Sequence, residues 1–385
     1  MNICFIEWGY PAESFGGGAG TYVQLTAKEL VKRGHKAFVI SKYLSEEPDA
    51  FIDEGVFIKR IKIKGWHWYF TKIPIIGRIL ARFFSIVEYS LAVNREINKL
   101  HKKYTLDLIE FPETANFLYG IQVRQPYIVH LHGSDFTFKK YCRERIGLED
   151  KLQRRLEGFI IKRADRIFSP SRFLKEEIIA EFNIESSKIA VLSYPVDEIL
   201  LTIPVEANKD IKTIFFAGRI ERRKGLDVIR AAIPLITKKF PSVRFLFVGA
   251  FSSEKFADAE NIETCPFTSR KMLFEYLAKA DICIAPSMWD NSPAVIYEAM
   301  AAGKAVVAAK TGGIPELVAD SETGLLVAPN NPENLTRAVI GLLSNEERRI
   351  SMGIEGRRRI LQLANLYDNV NMRLRLYEDV LKKIS

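Results

Sequence analysis

Cysteine is scarce in this 385-residue chain, with four residues at positions 4, 142, 265 and 283 and no paired or metal-ligand spacing among them. A disulfide framework and a structural zinc site are therefore not expected, and Cys4 and Cys283 fall in apolar runs that read as buried strands. Such usage suits a reducing compartment, so a cytoplasmic protein is expected. No stretch of 18 uncharged apolar residues occurs, which excludes a transmembrane helix. The opening Met1-Asn2-Ile3-Cys4-Phe5-Ile6-Glu7 lacks the basic start and small-residue cleavage site of a secretory signal and reads as a first strand. Short internal repeats and low-complexity tracts are missing as well.

Two nucleotide fingerprints are also missing. Gly16-Gly17-Gly18-Ala19-Gly20 follows the first strand, but the pattern G-x-G-x-x-G fails in both registers, at Thr21 and at Val23. What remains is either a plain strand-to-helix turn or a loop whose amides approach a phosphate or an acceptor closely. Near Lys224, a Walker A loop would require glycine before the lysine, where Arg223 stands, so an NTPase is disfavoured.

What is present is a regular alternation of strands and helices. In the first half, strands are expected at residues 2–6, 37–41, 57–63, 107–110, 127–131, 166–169 and 189–192, with helices such as Thr21 to Arg33 between them. In the second half, strands are expected at 213–217, 244–248, 262–265, 282–285, 305–308 and 325–327. Alternation of this kind implies an α/β protein with parallel sheets covered on both faces. The length exceeds what one core usually supports, and 48% hydrophobic residues suffice for two. The pattern breaks between Asp197 and Lys212, so two doubly wound, Rossmann-like domains are expected, at 1–200 and 211–365, with a ligand cleft between them.

The chemistry concentrates in the second half. Thr213-Ile214-Phe215-Phe216-Ala217 reads as a strand ended by Gly218, which places Arg219 at a strand's carboxyl end, where open α/β sheets bind ligands. Leu226, Ile229, Ile233 and Ile236 follow helical spacing, so Lys224 falls near a helix N-terminus that favours phosphate. Arg219 can grip two phosphate oxygens and Lys224 acts as a point charge. Alone, this segment could equally be a solvated basic turn. Downstream, Asp290 lies on the loop before the helix Ala294 to Ala302 and Glu298 on that helix. A carboxylate accepts two hydroxyl hydrogen bonds, so Glu298 suits the vicinal pair of a ribose and Asp290 the hydroxyls of a sugar. For Glu298 the plain alternative is a partner of the helix dipole.

The order of these residues, followed by Gly303 and Thr311-Gly312-Gly313-Ile314-Pro315-Glu316, resembles the family 4 retaining glycosyltransferases of GT-B fold. Val129-His130-Leu131-His132-Gly133-Ser134-Asp135, Pro170-Ser171-Arg172-Phe173 and Glu322-Thr323-Gly324-Leu325-Leu326-Val327 look like the same family, so the similarity covers nearly the whole chain. The resemblance implies a transfer of sugar from a nucleoside diphosphate, such as a UDP- or GDP-sugar, to a hydroxyl acceptor with retention. The acceptor would be a glycan or a lipid-linked glycan. Arg219 and Lys224 would stabilise the leaving diphosphate without a metal. His132 and Asp290 would contact the donor sugar, and Glu298 the ribose. Gly16, Gly17, Gly18 and Gly313 would lie near the sugar and phosphates, and Phe267 and Val295 on the nucleotide side. Asp135 would orient His132 or the acceptor, whereas His130 is read as a core histidine pointing elsewhere. Residues 366–385 would form a helix returning to the first domain. One departure stands out: the family places Glu at both ends of the gap that here runs from Asp290 to Glu298, so charge is kept and reach is shortened. A nucleotide-sugar epimerase of the same fold and a non-catalytic nucleotide-sugar binder are the alternatives.

Positive charge is concentrated elsewhere. Residues 59–104 hold 11 Lys or Arg against only Glu88 and Glu96, an excess equal to the whole chain's net +9. Trp66, Trp68, Tyr69, Phe70, Ile73, Ile75, Ile76, Ile79, Leu80, Phe83 and Phe84 are interleaved with Lys72, Arg78 and Arg82. The segment is either a peripheral contact with an anionic membrane or a core-facing helix with a solvated basic stripe. Without a nucleic-acid fold signature, a nucleic-acid partner is not expected despite the sequence pI of about 9.2.

Overall fold

The computed structural model describes the chain except residues 11–16, 43–48, 74–75, 115–117, 120–124, 206–210, 250–258, 267–268 and 384–385. It divides into two compact units, one of Met1–Pro11, Ala19–Leu192 and Tyr367–Ser385, the other of Ala12–Gly18 and Ser193–Leu366.

Among the described residues the first unit builds an eight-stranded sheet. Its strands are β1 (Asn2–Ile6), β2 (Lys36–Lys42), β3 (Ala50–Asp53), β4 (Val56–Ile61), β5 (Leu108–Pro112), β6 (Tyr127–His130), β7 (Arg166–Ser169) and β8 (Ile189–Val191), in the order β3-β4-β2-β1-β5-β6-β7-β8. Their inner runs, such as Leu108 to Phe111, are buried throughout, as strands covered on both faces must be. Every pairing is parallel except that of β3 with β4. Sequence periodicity does not reveal β3, because its four residues are half or fully exposed and form no buried run.

The second unit's sheet comprises β9 (Thr213–Ala217), β10 (Arg244–Val248), β11 (Ile262–Cys265), β12 (Ile282–Ala285), β13 (Ala305–Ala309) and β14 (Leu325–Val327). All are parallel, in the order β11-β10-β9-β12-β13-β14. This is the doubly wound order whose direction reverses between the first and fourth strands, here β9 and β12, and ligands of such sheets bind outside the carboxyl ends at that reversal. Phe245, Phe247, Ile282, Ile284 and Val307 pack the core beneath it. Each such side chain contributes roughly 1.5–3 kcal/mol on burial. The protein is thus α/β with two Rossmann-like sheets.

The last helix, Leu366–Lys382, belongs almost wholly to the first unit. Arg373 is fully buried there and donates to the Tyr22 hydroxyl at 2.9 Å, its guanidinium 4.5 Å from the Tyr22 ring. Tyr377 donates to Glu110 Oε2 at 2.7 Å, and Tyr22 donates to Glu110 Oε1. Burial raises the Glu110 pKa, and the Arg373 charge opposes that rise. No described helix is long and apolar enough to cross a membrane.

Candidate active site

Three loops converge at the carboxyl ends of β9, β12 and β13, which are neighbours in the sheet. The first leaves β9 through Gly218 and Arg219, makes a short turn at Arg222–Lys224 and enters the helix Leu226–Lys239 through Gly225. Gly225 has φ of +85°, and an added Cβ would meet the Pro286 carbonyl oxygen at 2.1 Å. Only glycine combines that backbone with so close an approach. The loop after β9 therefore rests directly on the loop after β12, and the Met288 N–H donates to the Arg223 carbonyl at 2.9 Å. The consequence is an ion pair between Lys224 Nζ and Asp290 Oδ2 at 2.5 Å.

The third loop fixes the other side of Asp290. Gly312 has φ of +54°, and a Cβ there would stand 2.0 Å from the Asp290 carbonyl oxygen. That same oxygen accepts from the Gly313 N–H at 3.3 Å. Asp290 is buried, as are its neighbours Trp289, Asn291 and Ser292. Its carboxylate is thus held by a lysine and its backbone by a glycine turn.

Arg219 has a different environment. Its side chain is 57% exposed, with Nη2 3.4 Å from Glu221 Oε1, an oxygen that Arg223 Nε also approaches at 3.5 Å. Ion pairs this exposed contribute about 0.2–1 kcal/mol and exchange readily for a better anion.

Glu298 lies on the helix Ala294–Ala301, buried, with Val295 half-buried on the same helix. Sequence reasoning missed its partner. Arg270 Nη1 donates to Glu298 Oε1 at 3.2 Å, and Arg270 Nη2 stands 3.6 Å from Asp197 Oδ2. Burial raises the Glu298 pKa, the Arg270 charge and hydrogen bond oppose the rise, and Asp197 adds to it. The available signal was a cation sharing the helical face of Leu273, Phe274 and Leu277, just after the N-cap Ser269. A basic residue placed among core positions calls for a buried acid, but periodicity does not say which one.

The glycine loop is described only in part. Gly18 begins the helix Gly18–Lys32, and a Cβ on it would meet the Ala294 Cβ at 3.3 Å, at the start of the helix that carries Glu298. Around Gly17 no atom of the described residues lies within 4 Å of such a Cβ. Gly16 and Phe267 lie outside the described residues.

His132 follows β6 in the first unit. Its N–H donates to both Glu113 oxygens, at 3.0 and 2.9 Å, and the Gly133 N–H donates to Glu113 Oε1 at 2.7 Å. Burial, with Glu157 nearby, pushes the Glu113 pKa up to about 7. The half-buried His132 ring goes the other way, down to about 3, through burial and the charge of Arg373. His132 is therefore a neutral imidazole. The expectation that His130 points elsewhere needs correction, since residues two apart along an extended chain share a side. The two rings are 4.5 Å apart, with buried His130 also stacked on Tyr22 at 4.3 Å. Asp135 pairs with Lys139 at 3.3 Å. Among the described residues, no three or more His, Cys, Asp or Glu are gathered so as to hold a metal ion.

Comparison with known proteins gives this geometry a context. The family described as Glycosyl transferases group 1 matches residues 202–359, and Glycosyltransferase Family 4 matches residues 16–198. An uncharacterised glycosyltransferase of Methanocaldococcus jannaschii is 22% identical over 369 residues, 90% of each chain. The D-inositol 3-phosphate glycosyltransferase of Segniliparus rotundus is 24% identical, over 92% of this chain and 83% of its own. Among solved structures, sucrose-phosphate synthase from Thermosynechococcus elongatus superposes with a TM-score of 0.80 at 22% identity over 100% of both chains. Anabaena HepE in complex with UDP-glucose superposes with 0.72 at 17% identity, over 98% of this chain and 100% of its own. Structural likeness at these identities speaks for the fold.

Proposed function

Because this chain belongs to the family 4 glycosyltransferases of GT-B fold, we propose that it moves a hexose-type sugar from a nucleoside diphosphate to a hydroxyl acceptor with retention of anomeric configuration. The acceptor is a glycan or a lipid-linked glycan, and the donor a UDP- or GDP-sugar. The observation that carries this reading is the 2.5 Å pair of Lys224 with Asp290, beside exposed Arg219, at the carboxyl end of the strand where the sheet order reverses.

The bond that breaks joins the anomeric carbon to an oxygen of the β-phosphate, and negative charge accumulates on that phosphate as it leaves. Arg219 and Lys224 stabilise this charge more in the transition state than in the ground state, so they raise the rate and not only the affinity. Two cations suffice for the departing diphosphate, and no metal is assigned to the step. Asp290 aims Lys224 and accepts from a sugar hydroxyl. Glu298, oriented by Arg270, accepts from the ribose hydroxyls. His132, neutral, contacts the sugar as a hydrogen-bonding group and not as a cation. The leaving phosphate takes the acceptor's proton as the new glycosidic bond forms on the face it vacates.

A thermal-shift series with UDP-, GDP- and ADP-sugars tests the donor half, since a ligand at about 1,000 times its Kd stabilises by about 4 kcal/mol. One nucleotide class should raise the Tm, and Lys224→Ala should lessen that rise without removing it, since its larger effect is on the rate. NMR of the product then reads the anomeric configuration. No stabilisation by any nucleoside diphosphate would sink donor binding. An inverted product would sink retention, and an epimer formed from donor alone would reassign the chemistry.

A further inference from the structure

The stretch from residue 55 to residue 87 contains no acidic residue and carries Lys59, Arg60, Lys62, Lys64, Lys72, Arg78 and Arg82. The structure separates its parts. On the helix Gly77–Tyr104, the residues Tyr89, Val93, Ile97 and Leu100 are buried in the core of the first unit, so that half of the helix is a core element with a solvated stripe. The other end differs. There the short helix His67–Phe70 folds against the start of the long one, with the Phe70 and Phe84 rings stacked at 4.2 Å. A Cβ on Gly77 would meet the Phe70 carbonyl oxygen at 2.4 Å, and the Gly65 N–H donates to Glu88 at 2.8 Å. The hairpin is therefore built by specific contacts.

What it presents outward is apolar. Trp66, Trp68 and Tyr69 are 60%, 68% and 77% exposed, and Ile73 and Ile76 are exposed beside them. Clustered exposure of this kind marks an interaction surface. Lys64, Lys72 and Arg78 are exposed on the same stretch, with Lys64 Nζ 5.5 Å from the Trp66 ring centroid and Arg78 Nε 4.0 Å from Glu149 Oε1. Tryptophan and tyrosine have an apolar body and a polar edge, which suits the boundary between acyl chains and headgroups. Cations at the same level are drawn to anionic headgroups and contribute about fivefold in partition each. Exposed aromatic residues on a stretch of chain that carries lysines and arginines and no acid match the charge of an anionic lipid surface.

We propose that Trp66, Trp68 and Tyr69, with Lys64, Lys72 and Arg78, dock the protein on anionic phospholipid bilayers. The expectation for residues 59–104 thereby contracts to one end of the segment. The docking stands apart from the transfer chemistry, and where both hold it selects lipid-linked acceptors presented at the membrane.

Flotation of the full chain with vesicles of phosphatidylcholine alone, or of phosphatidylcholine with phosphatidylglycerol, tests this directly. The anionic vesicles should bind at least about tenfold more protein, less so at high salt. The variants W66S/W68S/Y69S and K64E/K72E/R78E should each lose about tenfold in binding. Both should keep a Tm within a few degrees of wild type, since the altered side chains are largely exposed and the Arg78 contact with Glu149 is long at 4.0 Å. Tryptophan emission should shift to the blue on vesicle binding in the wild type and not in the aromatic variant. Equal partition of the wild type onto neutral and anionic vesicles would overturn the proposal, as would undiminished binding by the aromatic variant. Self-association of the wild type in sedimentation, lost in the aromatic variant and without vesicle binding, would reassign the surface to a second copy of the chain. Nucleotide-induced thermal shifts report on donor binding separately, so failure here and failure of the transferase reading remain distinguishable.

Discussion

Arg270 donates to Glu298 at 3.2 Å from a helix whose other buried residues are Leu273, Phe274 and Leu277, and both partners are buried. Removing the cation leaves a buried carboxylate without its opposing charge, a cost of about 3–5 kcal/mol in comparable pairs. Arg270→Gln should therefore lower the Tm and, if Glu298 binds the ribose as proposed, raise the KM for the donor about tenfold with kcat changed less. Arg270→Lys should recover part of the KM. Steady-state kinetics with varied donor check this, and an unchanged KM would remove Arg270 from the positioning of Glu298.

Lys224 carries the opposite signature. In the proposed transfer its contribution grows as the phosphate leaves, so Lys224→Ala should reduce kcat about a hundredfold, the usual effect of losing one such donor. Asp290→Glu lengthens the side chain by one methylene, toward the residue the resemblance places there. It should alter the preference among donor sugars while leaving the affinity for the bare nucleoside diphosphate within about twofold. Competition assays with paired donors, alongside titration with the diphosphate alone, measure the two effects separately.

Gly225 and Gly312 are predicted to be intolerant positions. Both have positive φ, and an added Cβ would stand 2.1 Å from the Pro286 oxygen and 2.0 Å from the Asp290 oxygen, respectively. Alanine at either site should cost more than about 1–3 kcal/mol, because backbone strain and overlap act together. Chemical denaturation reads the loss, and wild-type stability in Gly312→Ala would mean that the loop after β13 can move away from Asp290.

The histidine turn should show a two-sided pH dependence. His132 is held at about 3 against an ordinary 6.5, so the stability tied to its neutral form is complete above 6.5 and is lost as the pH falls toward 3. Glu113 is raised from 4.5 to about 7, so its contribution is complete below 4.5 and is lost as the pH rises through 7. Glu113→Gln keeps an oxygen where Oε1 accepts from both N–H groups and removes the titration. Its Tm should decline less than that of the wild type between pH 5 and pH 8. Nitrogen NMR should find the His132 imidazole neutral at pH 5, and a charged ring there would refute the assignment.

Much of this architecture was legible from residue order because buried parallel strands announce themselves as short apolar runs. Residues 213–217, 244–248, 262–265, 282–285 and 325–327 became strands with the expected limits. The four-residue β3, half in solvent and paired antiparallel at an edge, gives no such run. Candidate residues were legible in the loops that leave strands, as with Arg219, Asp290 and His132. Arg270 and Glu113 were not, since one lies on an apolar helical face and the other acts through its grip on backbone N–H groups.

Local sequence determined the strands, the helices, the doubly wound class and the side chains carried at strand ends, because each depends on neighbours within a few residues along the chain. Only the tertiary structure decided that Lys224 meets Asp290, that Arg270 meets Glu298 and that Glu113 holds the His132 turn, pairs separated by 66, 28 and 19 residues. Those pairings follow from the order of strands within each sheet and from close approaches that glycine alone permits. Both are properties of chains packed in three dimensions, and no short window of residues encodes them.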